Sequence, residues 1–146
     1  MTTWERIFQA IGKKAWEEVL LLVQQVPPSP DAQWAARLAR TGLAVERKAR
    51  LADWWQRAVE ILEGNKKLAL YYGEGDLDDL PRWAAIGCPE QAPLLYYGDV
   101  PFEKCPARPQ ERNALARARA FAQRSKELLR RAQKDLEAAK FIHYKL

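Results

Sequence analysis

The fold class is decided by residues 109–146, PQERNALARARAFAQRSKELLRRAQKDLEAAKFIHYKL. Small and apolar residues recur there at steps of three and four, the spacing that places side chains on one face of an α-helix. Phe121 and Leu128 widen this face, which favours packing onto a larger body over a narrow coiled coil. We therefore expect one long amphipathic helix over residues 108–146. Its predicted buried face is Leu115, Ala118, Ala122, Ser125, Leu129, Ala132, Leu136, Ala139 and His143.

The opposite half of this predicted helix carries cations: Arg112, Arg119, Lys126, Arg130, Arg131 and Lys134. Residues 108–146 contain eleven Lys or Arg and four acids, whereas the preceding residues contain thirteen and fifteen. The formal net charge of +5 is therefore concentrated near the end of the chain. A local excess of positive charge indicates a polyanionic or acidic partner.

Residues 1–64 show further helical patterns. Thr2 and Glu5 have the spacing of a capping box, so a helix is expected to begin near Thr3. Gly12 leaves open whether one helix or two precede the prolines at 27–30. A second pattern begins at Pro30 and ends near Gly64, with a bend or break left open at Thr41 and Gly42. Its predicted exposed side holds five residues: Arg40, Arg47, Arg50, Trp54 and Arg57.

Residues 65–107 lack helical periodicity and read as an irregular insert with some β structure. Two short aromatic runs, 68–72 and 94–97, each end in Leu-Tyr-Tyr and are followed by Gly, and they predict a two-stranded ribbon. Residues 81–86 are expected to form helical turns closed by Gly87. The predicted fold is therefore mainly α, a helical bundle with a long C-terminal helix and a small two-stranded β ribbon, in a single domain over residues 1–146.

No arrangement of residues carries a specific catalytic or metal-binding signature. Cys88, Cys105 and His143 lack the paired close spacing of structural zinc sites, and the acidic stretch 74–79 lacks the glycine and final glutamate of a calcium loop. The cysteines are expected to be reduced thiols in the cytoplasm, with a single bridge as the alternative. No apolar run approaches the roughly 20 residues that cross a bilayer. We therefore expect a cytoplasmic, non-enzymatic protein with no catalytic residues, no metal, no cofactor and no membrane contact.

The first functional hypothesis is an accessory subunit that contacts a DNA or RNA backbone with little sequence specificity. The arginine and lysine side chains named above would meet phosphates. Trp54 would stack on bases if its ring is exposed; the alternative is a ring packed under another helix, because Leu43 and Ile61 lie on the same side. The alternative is a protein adaptor or self-associating module. In that case the alanine-rich face of the last helix would bind another chain, and the cations would meet an acidic surface, such as residues 74–79 of a second copy.

Overall fold

A computed structural model of the chain describes residues 1–75, 78–88, 94–104 and 113–145, with only the backbone given for 141–145. Within these ranges the chain is mainly helical, and the long C-terminal helix is confirmed. A short 3-10 helix covers Phe102–Lys104. The other elements are α1 (Thr3–Gly12), α2 (Trp16–Val23), α3 (Pro30–Gly64), β1 (Ala69–Tyr72), β2 (Trp83–Gly87), β3 (Leu95–Gly98) and α4 (Ala114–Lys145).

Two compact units divide the chain. The helical unit consists of Met1–Ala49 and Leu128–Leu146, and the mixed unit consists of Arg50–Glu127. Helices α3 and α4 each contribute residues to both units, whereas the three strands belong to the mixed unit. The single domain expected from the sequence stays a prediction.

The predicted N-terminal cap is confirmed, and the first helical pattern is divided into two helices. The hydroxyl of Thr2 accepts a hydrogen bond from the backbone N–H of Glu5 at 3.1 Å. At the other end of α1, Lys14 has a φ of 58° in the left-handed region. The N–H of Lys14 bonds the carbonyl of Ile11 and that of Ala15 bonds the carbonyl of Ala10, at 3.0 and 2.9 Å. This pair of bonds is a Schellman motif, which ends α1 and turns the chain into α2.

Helix α3 runs through Thr41 and Gly42 without a break. Its start is capped by Ser29, whose Oγ accepts from the N–H of Ala32 at 3.0 Å. The hydroxyl of Thr41 donates to the carbonyl of Arg37 at 2.8 Å, so this polar side chain is satisfied within the helix. A Cβ at position 42 would overlap the indole ring of Trp16. Gly42 is therefore explained by close packing of α2 on α3 and not by a bend.

The core of the helical unit is built from α1, α2, the first part of α3 and the last part of α4. Its fully or nearly fully buried side chains are Ile7, Ala10, Trp16, Val19, Leu22, Ala35, Leu38, Ala39 and Ala139. The indole N–H of Trp34 donates to the carbonyl of Ala139 at 3.0 Å. This bond joins α3 to α4 inside the unit.

The prediction of helical turns over residues 81–86 was wrong, because Trp83–Gly87 is the central strand of a three-stranded antiparallel sheet of order β1-β2-β3. The ribbon of two strands expected from the sequence is therefore a three-stranded sheet. All five residues of β2 are buried. A strand covered on both faces shows a continuous apolar run and no alternation, so its period resembles that of a buried helical turn.

Both Leu-Tyr-Tyr-Gly copies pair with β2. The register places Leu70 and Leu95 opposite Ile86, and Tyr72 and Tyr97 opposite Ala84. Because side chains alternate along a strand, these residues share one face and pack into the main core of the mixed unit. The other tyrosine pair, Tyr71 and Tyr96, flanks Ala85 on the second face. The two tyrosines of each copy therefore lie on opposite faces of the sheet, and Tyr71 is buried on the second face in a small cluster with Ala69 and Trp83.

An aromatic core joins α3, α4 and the sheet in the mixed unit. The rings of Trp55 and Phe121 stack with centroids 4.5 Å apart, and neither side chain is exposed. Arg117 places its guanidinium 5.2 Å from the centroid of Tyr72 and 5.3 Å from that of Phe121. Ring stacking and cation–π contacts of this kind add stabilisation beyond the burial of apolar area.

Candidate nucleic-acid interface

The face predicted as buried on the last helix is buried or half-buried in the part that the structure describes, which leaves the cations on the opposite side in contact with solvent. Ala118, Ala122 and Ser125 are buried in the mixed unit, and Ala132 and Ala139 are buried in the helical unit. Leu115, Leu129 and Leu136 are half-buried, whereas the side chain of His143 lies outside the described residues. The cations on the opposite side are consequently exposed: Arg119 and Lys126 in the mixed unit, and Arg130, Arg131 and Lys134 in the helical unit. Arg112 lies outside the described residues.

The exposed cations of α4 differ in their ion pairs. Arg119 bonds the carboxylate of Glu63 at 2.9 Å, and that pair is half-exposed. Glu127 is bonded to Arg124 at 3.3 Å and Glu137 to Lys140 at 3.1 Å. In the part of the chain that the structure describes, no carboxylate lies within ion-pair distance of Arg130, Arg131 or Lys134. These three side chains keep their charge available for an external anion.

Helix α3 also exposes its predicted cations. Arg40 and Arg47 are exposed in the helical unit, and Arg50 and Arg57 are exposed in the mixed unit. Sequence reasoning missed Arg37, an exposed cation three residues before Arg40 in the same unit. The spacing of three was the available signal, because residues i and i+3 share a helix face.

The structure corrects the assignment of Trp54 to the nucleic-acid interface, which required an exposed ring. Its side chain is only 5% exposed, and its ring lies 4.7 Å from that of Trp55 and 5.9 Å from that of Tyr97. The sheet therefore covers the side of α3 that carries this residue. Leu51 and Ala58, one turn before and after it, are also buried and were the signal that this side is apolar. Trp54 cannot stack on a base in this conformation.

Charge is divided unequally between the two units. The residues of the helical unit include twelve Lys or Arg and seven Asp or Glu, which gives that unit the whole net charge of +5. The mixed unit contains twelve of each and is formally neutral. Helix α4 has more cations than acids in both units, but acids outside α4 offset this excess in the mixed unit, so the net positive charge lies in the helical unit.

The alanine-rich face of α4 is occupied by the chain itself. Ala118 and Ala122 pack with Trp55 and Phe121, and Ala139 packs with Leu38 in the helical unit. Because this face is buried within the chain, the geometry does not support the hypothesis that it binds another chain.

Cysteine and acidic residues do not converge on a metal site in the described ranges. No group of three or more His, Cys, Asp or Glu residues within them is arranged to hold a metal ion. Cys88 is a half-buried free thiol with its Sγ 4.0 Å from the carbonyl of Lys67. Cys105 and the side chain of His143 lie outside the described residues, as does part of the acidic stretch 74–79. None of the described helices is both long and apolar enough to cross a membrane.

Comparisons with known proteins do not assign the chain to a family. No protein-family model, curated protein or solved structure matches it. The function of the chain is therefore inferred from the exposure and charge of its own side chains.

Proposed function

We propose that the protein is a non-enzymatic accessory subunit that binds the backbone of a nucleic acid through its helical unit. The binding side chains are the exposed cations of α3 and α4 in that unit: Arg37, Arg40, Arg47, Arg130, Arg131 and Lys134. Contacts of this kind are made to phosphates, so they carry little sequence preference.

The observation that carries the proposal is the absence of ion-pair partners for Arg130, Arg131 and Lys134 within the described residues. Arg130 and Lys134 are four residues apart, so both lie on the same side of α4. A guanidinium also offers several donors in a planar fork that matches phosphate oxygens. Exposed cations without an ion-pair partner bind a phosphate at a low cost in free energy, because no internal ion pair has to be broken first.

The energetic source of such binding is the release of counterions from the nucleic acid. Each neutralised phosphate lowers the slope of log K against log salt by about 0.9 for duplex DNA and about 0.7 for a single strand. With some four to six cations engaged, affinity should fall by roughly two to three orders of magnitude between 50 and 200 mM salt, scaled from the same relation.

The test is a fluorescence titration of the full chain with labelled single- and double-stranded DNA and RNA at several salt concentrations. We expect Arg130→Glu with Lys134→Glu to weaken binding at least about tenfold, since two contacts become repulsive. The matched control is Lys13→Glu with Lys14→Glu, which makes the same charge change in the same unit on the α1–α2 connection. Helicity by circular dichroism should be unchanged in both variants.

Three outcomes would contradict the proposal. The first is absence of binding to all four probes at low salt. The second is binding that does not weaken as salt rises. The third is an equal loss in the α4 variant and in the Lys13 and Lys14 control, which would indicate attraction by net charge without a defined surface.

A second candidate is binding of the same cations to an acidic protein surface. It is favoured by two large apolar side chains exposed in the helical unit, Phe8 at 56% and Leu21 at 63%. Exposed apolar groups gain nothing from a phosphate backbone but are typical of protein interfaces. Loss of a protein complex through Phe8→Ser or Leu21→Ser, with no effect on nucleic-acid binding, would favour this candidate.

A further inference from the structure

The mixed unit contains a cleft of about 770 Å³ that the basic helix faces do not explain. It is lined by the end of α3, the connection that follows it, the start of β1 and the first turns of α4. A volume of this size lies within the range of roughly 300–1,000 Å³ that holds small molecules in proteins.

The charges in the cleft select an anion. Its described lining includes Lys66, Lys67 and Arg119 and no carboxylate. Arg119 is bonded to Glu63, whose carboxylate lies outside this lining. Lys66 and Lys67 are exposed and have no ion-pair partner among the described residues. The two lysines therefore supply the charge that is free for a ligand.

The start of α4 adds backbone donors to the same cleft. Asn113, Ala114, Leu115 and Ala116 all line it. The N–H of Arg117 makes the first bond of the helix, to the carbonyl of Asn113 at 2.9 Å. The N–H groups that precede it have no acceptor within the helix, and the helix dipole places partial positive charge at this end. These donors strengthen an anion site that the lysines already define.

Apolar side chains complete the lining. Leu62 and Leu68 approach from the end of α3 and the connection to β1, and Leu115 approaches from α4. A ligand that fills the cleft therefore needs a charged end and an apolar or planar body. An inorganic anion would satisfy the lysines and leave the leucine side unused.

We propose that this cleft binds a small phosphorylated molecule of mononucleotide size. Its phosphate lies against Lys66, Lys67 and the first turn of α4, and its remaining part packs on Leu62, Leu68 and Leu115. A phosphomonoester carries about 1.5 to 2 negative charges at neutral pH and three acceptor oxygens, which matches two ammonium groups and the N–H donors of the first turn of α4. The site belongs to the mixed unit and stands independently of the nucleic-acid interface of the helical unit.

The test is calorimetric titration of the full chain with AMP, adenosine and inorganic phosphate. We expect AMP to bind with a Kd of about 1 mM or tighter and adenosine to bind at least about tenfold more weakly, the equivalent of 1.4 kcal/mol. Inorganic phosphate should compete with AMP. Lys66→Glu with Lys67→Glu should weaken AMP binding at least tenfold, and Lys66→Gln with Lys67→Gln serves if the first variant fails to fold.

The matched control is Arg50→Glu with Arg57→Glu, which makes the same charge change in the same unit on residues outside the cleft lining. It should leave the Kd for AMP within twofold. The proposal is overturned if AMP does not bind, if adenosine binds as tightly as AMP, or if the control weakens AMP binding as much as the lysine variant does. Loss of nucleic-acid binding by Arg130→Glu with Lys134→Glu should leave AMP binding unchanged.

Discussion

The helical unit and the mixed unit use the same two long helices differently. In the mixed unit, α3 and α4 meet through stacked aromatic rings under a sheet, and the formal charge is zero. In the helical unit, the indole of Trp34 in α3 bonds the carbonyl of Ala139 in α4, and the unit has five more cations than acids. A pattern of charge that is continuous along a helix therefore need not serve one function over the whole helix. In the mixed unit Glu63 and Glu127 pair with arginines of α4, whereas Arg130 and Lys134 have no carboxylate partner among the described residues.

The largest expected effect is on the aromatic core of the mixed unit. Phe121→Ala removes a fully buried ring that stacks on Trp55, and we expect a loss of about 3–5 kcal/mol in the free energy of unfolding. The same substitution at Phe8, which is 56% exposed in the helical unit, should cost well under about 1 kcal/mol. Denaturant unfolding followed by circular dichroism measures both. Equal costs for the two variants would show that the mixed unit does not depend on this stack.

A smaller effect is expected where α2 packs on α3 in the helical unit. Gly42→Ala places a methyl group against the indole of Trp16, and we expect a destabilisation of about 1–3 kcal/mol from overpacking. Gly64→Ala, at the end of the same helix with no atom within 4 Å of the added Cβ, is the control and should be neutral or slightly stabilising. Thermal unfolding compares the two. A Gly42→Ala protein that melts at or above the wild-type temperature would contradict the close approach.

The third prediction separates the two units by charge. Arg40→Glu with Arg47→Glu acts on the helical unit, whereas Arg50→Glu with Arg57→Glu makes the same change on the mixed unit of the same helix. We expect the first variant to weaken nucleic-acid binding about tenfold, or 1.4 kcal/mol, and the second about twofold. Titration with duplex DNA at fixed salt measures both. An equal loss of affinity in the two variants would contradict a functional difference between the units and would place the interface on both of them.

The smallest effect concerns the ion pair between Arg119 and Glu63. Both side chains are half-exposed, so solvent screens the attraction and the pair should contribute at most about 0.5–1 kcal/mol to stability. A double-mutant cycle with Arg119→Ala and Glu63→Ala measures the coupling energy. A coupling energy above about 2 kcal/mol would exceed the range for exposed pairs and require a more buried geometry.

The helices could be predicted from sequence because their signals are local. The steps of three and four in α4 identified a face that is buried by the chain itself, and Thr2 identified the start of α1. The sheet could be predicted only in part. The strand Trp83–Gly87 is buried on both faces and shows no alternation, and the pairing of β1 and β3 with it depends on contacts between residues distant in the chain.

In the candidate site too, features set by the periodicity of one helix could be predicted, whereas contacts between residues far apart in sequence could not. Exposure of Arg130, Arg131 and Lys134 followed from their position opposite the apolar face of one helix. The burial of Trp54 did not, because it depends on Tyr97 and the sheet, which lie far away in sequence. The pairing of Arg119 with Glu63 likewise joins residues 56 positions apart, a relation that helical periodicity does not contain.

The discontinuous course of the helical unit has a consequence for biosynthesis. Its first 49 residues leave the ribosome before the mixed unit, but its core includes Ala139, and the bond from Trp34 to that residue spans 105 positions. The mixed unit is a continuous stretch and has all of its own residues available earlier, since synthesis proceeds from the N-terminus at about 5–20 residues per second. The early helices therefore keep part of their apolar surface exposed to solvent until the last turns of α4 have been synthesised and pack against them.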